Sequence, residues 1–319
     1  MVYVPFPDSG LDNHLQLAAW RTATGIKEWK NLKGYLADHT KQYAETTTAP
    51  PKCWYSELPL GDNYSVDVEH FRPKASGDPL PAKDLRDIKR EYGVEVLQTS
   101  DSGQYPWLEF EYRNYRLVTA MTNRAGAKHT FFPILKNTTR LAIGHNPWST
   151  KEYNLMLDPV DKHDSSLLTV FPNGFIVPSA PQGQVTDEMI NSPSTSWTDP
   201  QMNFMRAAVT IYRYNLNDPV FVDGRKGKIE EVDYDINLLL EALVEPQFHR
   251  FKQDYVRRLN NAIRPSAPFA LAARCAFRDF KFPDGTNAQL QSELRRLLDV
   301  MLRINEDAVA NVAVDWNRP

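Results

Sequence analysis

Four consecutive residues, Asp67-Val68-Glu69-His70, combine two carboxylates with an imidazole. If this segment is a β-strand, Asp67 and Glu69 share one face and His70 lies at the strand end, because side chains alternate between faces. A carboxylate is a hard oxygen ligand for Mg²⁺ or Mn²⁺, and a neutral imidazole can take a proton from water near pH 7. The segment therefore indicates metal-assisted activation of water, with a surface histidine in a salt bridge as the alternative.

The elements that must position this tetrad are mostly helical. Apolar residues recur at three- and four-residue steps over 11–45, and again from about Asp199 onward, which predicts helices at both ends of the chain. The later helices are predicted over 236–263, 267–280 and 287–312, and Pro246 should start or kink the first of them.

The segments between the helical ends have a different composition. Gly, Pro, Ser and Asp are frequent over 76–106, which indicates an insertion around one short helix from Ala82 to Tyr92. Residues from Asn137 to about Pro200 are predicted to be irregular, with turns at Asp158-Pro159 and Pro172-Asn173-Gly174.

These patterns predict an α+β, mainly helical protein in three parts. The first is an N-terminal helical segment over 1–50. The second is a small mixed module over 51–136, with the insertion at 76–106. The third is an irregular connector followed by a C-terminal helical region over 137–319.

Composition narrows the class of protein. The formal charge of −3 does not favour nucleic acid, so phosphates would have to meet a local basic patch, for which 83–90, 225–228 and 250–264 are candidates. Two cysteines, Cys53 and Cys275, are predicted to be reduced thiols of a cytoplasmic protein. We expect no signal peptide, because the N-terminus has no basic segment followed by an apolar stretch, and no membrane partner, because no apolar run is long enough to span a bilayer.

An ordered set of motifs surrounds the tetrad. Val68 to Lys74 reads Val-Glu-His-Phe-Arg-Pro-Lys, 107–124 is an aromatic-rich stretch that ends in Thr-Ala-Met-Thr-Asn-Arg, and Phe132-Pro133 follows. Later motifs are Leu-Asp-Pro at 157–159, Gly-Phe-Ile-Val-Pro at 174–178, Leu-Asn-Asp-Pro at 216–219 with Arg225, and Ala-Pro-Phe-Ala at 267–270. Together they resemble the PtuB-type HNH nucleases of Septu and retron-associated bacterial defence systems, over roughly residues 10–280.

The resemblance implies a ββα-metal (HNH) module between the helical regions, with a role for each motif residue. His70 would be the general base and Glu69 a ligand of one divalent cation, Mg²⁺ or Mn²⁺. Asn123 would be the second protein ligand, and Asn114 would orient the His-bearing strand through its backbone. Asp67 would be a ligand or a partner of the metal-bound waters.

Three further residues are candidates near this site. Arg72 and Lys74 would contact the substrate phosphate. His129, six positions after Asn123, is the alternative to Asn123 as the last metal ligand.

The chain departs from the family at its structural zinc site. Relatives carry two Cys-x-x-Cys pairs, whereas here the matching positions are Cys53, Ser56, Thr119 and Thr122. Neutral hydroxyls are poor zinc ligands, so no structural zinc is expected, and packing of aromatic residues such as Trp54 and Tyr55 must stabilise the module instead.

The function implied by the resemblance is hydrolysis of nucleic-acid phosphodiester bonds in antiviral defence. DNA is the default substrate and RNA the alternative, and an ABC-type ATPase is the expected partner, docked on the helical ends. There are two alternative hypotheses. The chain is a catalytically inactive HNH-fold scaffold or binding subunit of a defence complex, or it is a metal-dependent hydrolase of another phosphoester.

Overall fold

The structure is a computed structural model, and it describes Leu36 and residues 51–61, 65–109, 111–124, 126–145, 152–191 and 199–310. The predicted N-terminal helical segment lies outside these residues except for Leu36, which is helical and buried in the core.

Helices dominate the described residues. They are α1 (Ala82–Tyr92), α2 (Ala120–Asn123), α3 (Lys162–Ser165), α4 (Asp187–Asn191), α5 (Pro200–Arg213), α6 (Pro219–Val244), α7 (Lys252–Ala262), α8 (Ala270–Asp279) and α9 (Ala288–Ala310). Short 3₁₀ turns cover Pro106–Leu108, Tyr112–Asn114 and Pro246–Phe251. The expectation of an α+β, mainly helical protein is confirmed.

The strands form two antiparallel two-stranded sheets. Strand β1 (Val66–His70) pairs with β2 (Tyr115–Thr119), so that His70 lies opposite Tyr115 and Glu69 lies opposite Arg116. Strand β3 (Leu168–Val170) pairs with β4 (Ile176–Pro178). The β3–β4 hairpin and the short helices α3 and α4 lie between Asn137 and Pro200, so the prediction that this segment is irregular is partly wrong. Strands of three residues are too short to show a periodic pattern in the sequence.

Helix boundaries follow local sequence signals. The predicted helix Ala82–Tyr92 is confirmed, and Gly93 ends it in the left-handed conformation while its N–H bonds to Lys89 O. The single helix predicted over 236–263 is partly wrong: α6 begins at Pro219 and ends at Val244, and Pro246 separates it from the turn and helix that follow. Pro219 begins α6, and the Asp218 carboxylate accepts a hydrogen bond from Val220 N.

One contiguous core contains apolar side chains from residues 51–136 around the β1–β2 pair, which we call the hairpin module, from the connector over 137–199, and from the C-terminal helices. Cys53 and Cys275 are both buried free thiols, as predicted. Among the described residues, no helix combines the length and apolar character needed to cross a membrane.

The end of α5 fastens the helical region to the hairpin module. Arg213 forms a salt bridge of 2.6 Å with the buried Asp84 of α1, and it also donates a hydrogen bond to the carbonyl of Ala127. The next residue, Tyr214, stacks on Tyr55 with ring centroids 3.7 Å apart. Two consecutive residues, Arg213 and Tyr214, therefore hold the helical region against helix α1, the loop after α2 and the start of the hairpin module.

Candidate active site

His70 is the last residue of β1, and its ring is fixed by the loop that precedes β2. Its Nε2 lies 2.8 Å from the carbonyl oxygen of Glu109, and the edge of the ring meets Tyr115 at a centroid distance of 5.1 Å. A carbonyl can only accept a hydrogen bond, so Nε2 carries the proton and Nδ1 carries the lone pair of the neutral ring.

The protonation state of His70 follows from its burial. The side chain is almost enclosed, and burial lowers the pKa of the imidazole from 6.5 to about 4, since a charged ring would lose its hydration. The ring is therefore neutral near pH 7, which is the form that can accept a proton.

Asn114 ties the end of β1 to the start of β2. Its side-chain oxygen accepts a hydrogen bond from Arg72 N at 2.8 Å, and its Nδ2 donates to Arg72 O at 2.9 Å and Leu108 O at 3.3 Å. The residue is buried, so these backbone groups have no access to water as a substitute. The contacts hold the chain on both sides of the loop that binds His70.

Glu69 lies on the opposite face of β1 and points into the protein. Only 3% of the residue is exposed, and its Oε1 is 2.6 Å from Lys128 Nζ and 2.9 Å from the Tyr214 hydroxyl, which donates to it. Burial raises the pKa of Glu69 and lowers the pKa of Lys128, because each charge loses its hydration, while their mutual attraction acts in the opposite direction.

Lys128 uses its whole hydrogen-bonding capacity at this point. Besides Glu69, its Nζ donates to His70 O at 2.7 Å and to Phe71 O at 3.1 Å. An ammonium group has three N–H donors, so each has an acceptor. The sequence did not single out Lys128 or Tyr214 as site residues. The available signals were the location of Lys128 next to the candidate His129 and of Tyr214 two positions before the Leu-Asn-Asp-Pro motif.

The structure brings Asp67 and Asn123 together. Asn123 is the last residue of α2, and its Nδ2 lies 3.5 Å from Asp67 Oδ2. Arg124 also approaches this carboxylate, with Nε at 3.3 Å. His129 is exposed; its N–H bonds to Asn123 O, and its Nδ1 lies 3.1 Å from the Thr130 hydroxyl.

The two candidate phosphate contacts differ in accessibility. Arg72 is buried and donates from Nε to the buried Glu152 at 2.8 Å, so a phosphate would have to displace that carboxylate. Lys74 is partly exposed and pairs with the Glu109 carboxylate at 2.9 Å. Lys74 is therefore the better placed of the two to meet a substrate.

The side chains differ in how well they suit a divalent cation. Asp67 and Asn123 lie side by side at partly exposed positions, and they would fit one once the Asn123 amide turns so that its oxygen, rather than Nδ2, faces Asp67. Glu69 fits less well, because its charge already faces the Lys128 ammonium group in the interior; its buried Oε2, which has no hydrogen-bond partner among the described residues, is the one feature in its favour. Within that same part of the chain, no three His, Cys, Asp or Glu side chains converge on one point.

Four residues that the resemblance leads us to expect in place of zinc ligands also lie together, and we call them the hydroxyl cluster: Cys53, Ser56, Thr119 and Thr122. All four are buried. Cys53 Sγ lies 3.8 Å from the Thr122 hydroxyl, which is 3.3 Å from the Thr119 hydroxyl, and Ser56 N donates to the same sulfur. Hydrogen bonds thus join the two turns that flank the hairpin.

The later motifs form structural contacts around the hairpin. Asp158 accepts two hydrogen bonds from Arg116 of β2. Asn217 pairs with the backbone N–H and carbonyl of Ile176 in β4, and the buried Arg225 donates to Gly174 O and Leu216 O. These residues hold the connector against the helices and do not extend the candidate site.

Comparison of the chain with protein-family models, curated proteins and solved structures finds no match in any of the three.

Proposed function

We propose that this chain is a metal-dependent endonuclease of the HNH type, which hydrolyses phosphodiester bonds of nucleic acid in the bacterial cytoplasm. DNA is the expected substrate and RNA the alternative. The observation that carries the proposal is the state of His70: a neutral ring at a strand end, with Nε2–H on the Glu109 carbonyl and the basic lone pair on Nδ1.

In the proposed mechanism, His70 takes a proton from the attacking water through Nδ1. The Glu109 carbonyl keeps the ring in the required tautomer, and Asn114 holds the loop that supplies this carbonyl. Lys74 brings positive charge to the phosphate. Asp67 and Asn123 would hold one Mg²⁺ or Mn²⁺, which when bound stabilises the negative charge that develops on the phosphate.

The test compares cleavage of plasmid DNA and of RNA in Mg²⁺ or Mn²⁺ by the wild type and His70→Ala. We expect cleavage by the wild type and a loss on the order of 100-fold or more in the variant, because a general base contributes that much to the rate. Competition by duplex DNA against a small phosphodiester separates a nuclease from a hydrolase of other phosphoesters.

Two further histidine variants are compared with His70→Ala, one as a control and one to identify a metal ligand. His163→Ala removes a ring near Asn203 on α5 and should leave cleavage unchanged. His129→Ala tests whether His129 rather than Asn123 is the last ligand, since loss of a ligand would raise the Mn²⁺ concentration needed for half-maximal cleavage. Absence of any His70-dependent cleavage, even with the partner protein present, would refute the nuclease proposal.

A second candidate function is a non-catalytic subunit, in which the hairpin module only positions the helices. The specific observation in its favour is the low exposure of the two central residues, 9% for His70 and 3% for Glu69. It predicts that His70→Ala leaves both partner binding and defence activity intact, whereas the nuclease proposal predicts intact binding with loss of defence.

The proposal includes an ABC-type ATPase as partner in antiviral defence, because the resemblance implies one. Apolar side chains are exposed on two C-terminal helices: Tyr234 on α6, and Val300 and Ile304 one turn apart on α9. Val300→Glu with Ile304→Glu should abolish co-purification with a candidate ATPase while leaving the free energy of unfolding nearly unchanged.

A further inference from the structure

Lys128 contacts three consecutive residues at the point where β1 ends. Its ammonium group binds the Glu69 carboxylate and the backbone carbonyl groups of His70 and Phe71. Residues 69, 70 and 71 are consecutive, so one cation fixes the position of three successive residues, including the proposed base.

The second half of the arrangement comes from the helical region. Tyr214, at the end of α5, donates its hydroxyl hydrogen to the same Glu69 oxygen that Lys128 contacts. Arg213 holds the carbonyl of Ala127, the neighbour of Lys128. The carboxylate and the ammonium are thus both anchored to α5, and the lysine has no remaining N–H for another acceptor.

We infer that Lys128 is a positioning residue for His70, and that Glu69 serves as the counter-ion of Lys128 rather than as a ligand of the divalent cation. The inference rests on the proposed function for its catalytic consequence, but the geometry of His70 can be measured without cleavage. The divalent cation then depends on Asp67 and Asn123.

The first test follows the imidazole signals of His70 in long-range ¹H–¹⁵N spectra, assigned with His70→Gln. In the wild type we expect the Nε2–H tautomer. Lys128→Met should shift these signals and mix the tautomers, because the backbone of His70 loses its anchor. Unchanged signals in Lys128→Met would overturn the inference.

Lys52→Met is the matched control. Lys52 is also fully buried and also paired with a buried carboxylate, Glu57, at 3.1 Å, but it contacts neither His70 nor its neighbours. A purely structural effect of losing a buried lysine would appear in both variants, whereas a positioning effect appears only at Lys128.

A variant that removes the charge pair as a whole guards against failure to fold. Lys128→Met alone leaves the Glu69 carboxylate buried without its counter-ion, which lowers the free energy of unfolding strongly. Glu69→Gln with Lys128→Met removes both charges and avoids this loss. The double variant still lacks the donor to His70 O, so its His70 signals should shift as they do in the single variant.

The second test measures Mn²⁺ affinity by electron paramagnetic resonance. Glu69→Gln should keep the wild-type affinity, and Asp67→Asn should lose on the order of tenfold or more. Loss of affinity in Glu69→Gln with retention in Asp67→Asn would overturn the assignment of Glu69 as a counter-ion.

The last test uses cleavage and depends on the proposed function. Lys128→Met should lower kcat on the order of 100-fold with KM nearly unchanged, since a displaced base affects chemistry more than binding, while Lys52→Met keeps the wild-type kcat. Wild-type kcat in Lys128→Met would contradict positioning. If the wild type itself does not cleave, the proposed function fails, and the spectra still decide the role of Lys128.

Discussion

Replacing Asn114 with Ala should destabilise the protein severely, because this side chain makes three hydrogen bonds inside the core. Each bond contributes about 1 kcal/mol net, which sets a loss of about 3 kcal/mol. The N–H and carbonyl of Arg72 would also be left buried without their side-chain partner, so the expected total is about 3–5 kcal/mol.

Urea unfolding followed by tryptophan fluorescence measures this loss as a lower midpoint at constant m-value. Asn114→Asp keeps the acceptor for Arg72 N but buries a carboxylate against the carbonyl oxygens of Arg72 and Leu108, so it should destabilise the protein at least as much as Asn114→Ala. Asn191→Ala removes an exposed side chain that donates to Asp187 O and accepts from Asn137 Nδ2, and because both bonds are exposed it should change the free energy of unfolding by less than about 0.5 kcal/mol. A loss below about 1 kcal/mol in Asn114→Ala would refute the idea that this residue clamps the loop.

Three further outcomes are expected. Because burial lowers the folded-state pKa of His70 to about 4 from 6.5, the unfolded chain binds its proton first as the pH falls. The wild type should therefore lose about 3 kcal/mol more than His70→Gln between pH 7 and pH 4, and parallel urea-unfolding curves would contradict this. Gly174→Ala should lower the melting temperature, because Gly174 has a φ of 85° and an added Cβ would collide with Val222 O, whereas Gly227→Ala in α6, with open space around it, should be neutral or stabilising. Cysteines in place of Ser56, Thr119 and Thr122 should create, with Cys53, a tetrahedral site for one Zn²⁺. Sulfurs in such a site lie about 3.8 Å apart, which matches the 3.8 Å between Cys53 Sγ and the Thr122 hydroxyl. Absence of thiolate absorption in the Co²⁺ form would contradict this geometry.

Much of the fold was predictable because its signals are local. A glycine after the amphipathic stretch marks the end of α1, and prolines mark the start of α6 and the break after it. The hairpin β3–β4 was not predictable, because its strands are three residues long and only the turn before Gly174 carries a signal.

The candidate site divides in the same way. From the residue types, His70 was predicted to be a base and Asp67 a metal ligand or its partner, and the resemblance added Asn123 as a ligand and Asn114 as the residue that orients the strand; the roles in chemistry stay predictions. Which of these side chains face solvent and which face each other depends on the packing of distant segments. Glu69 and Lys128 are 59 positions apart, and their pairing depends on a shared buried space that no local pattern encodes. The same holds for the Tyr214 hydroxyl, 145 positions from Glu69. A buried carboxylate requires hydrogen-bond donors, and the donors available to it are set by the packing of distant segments.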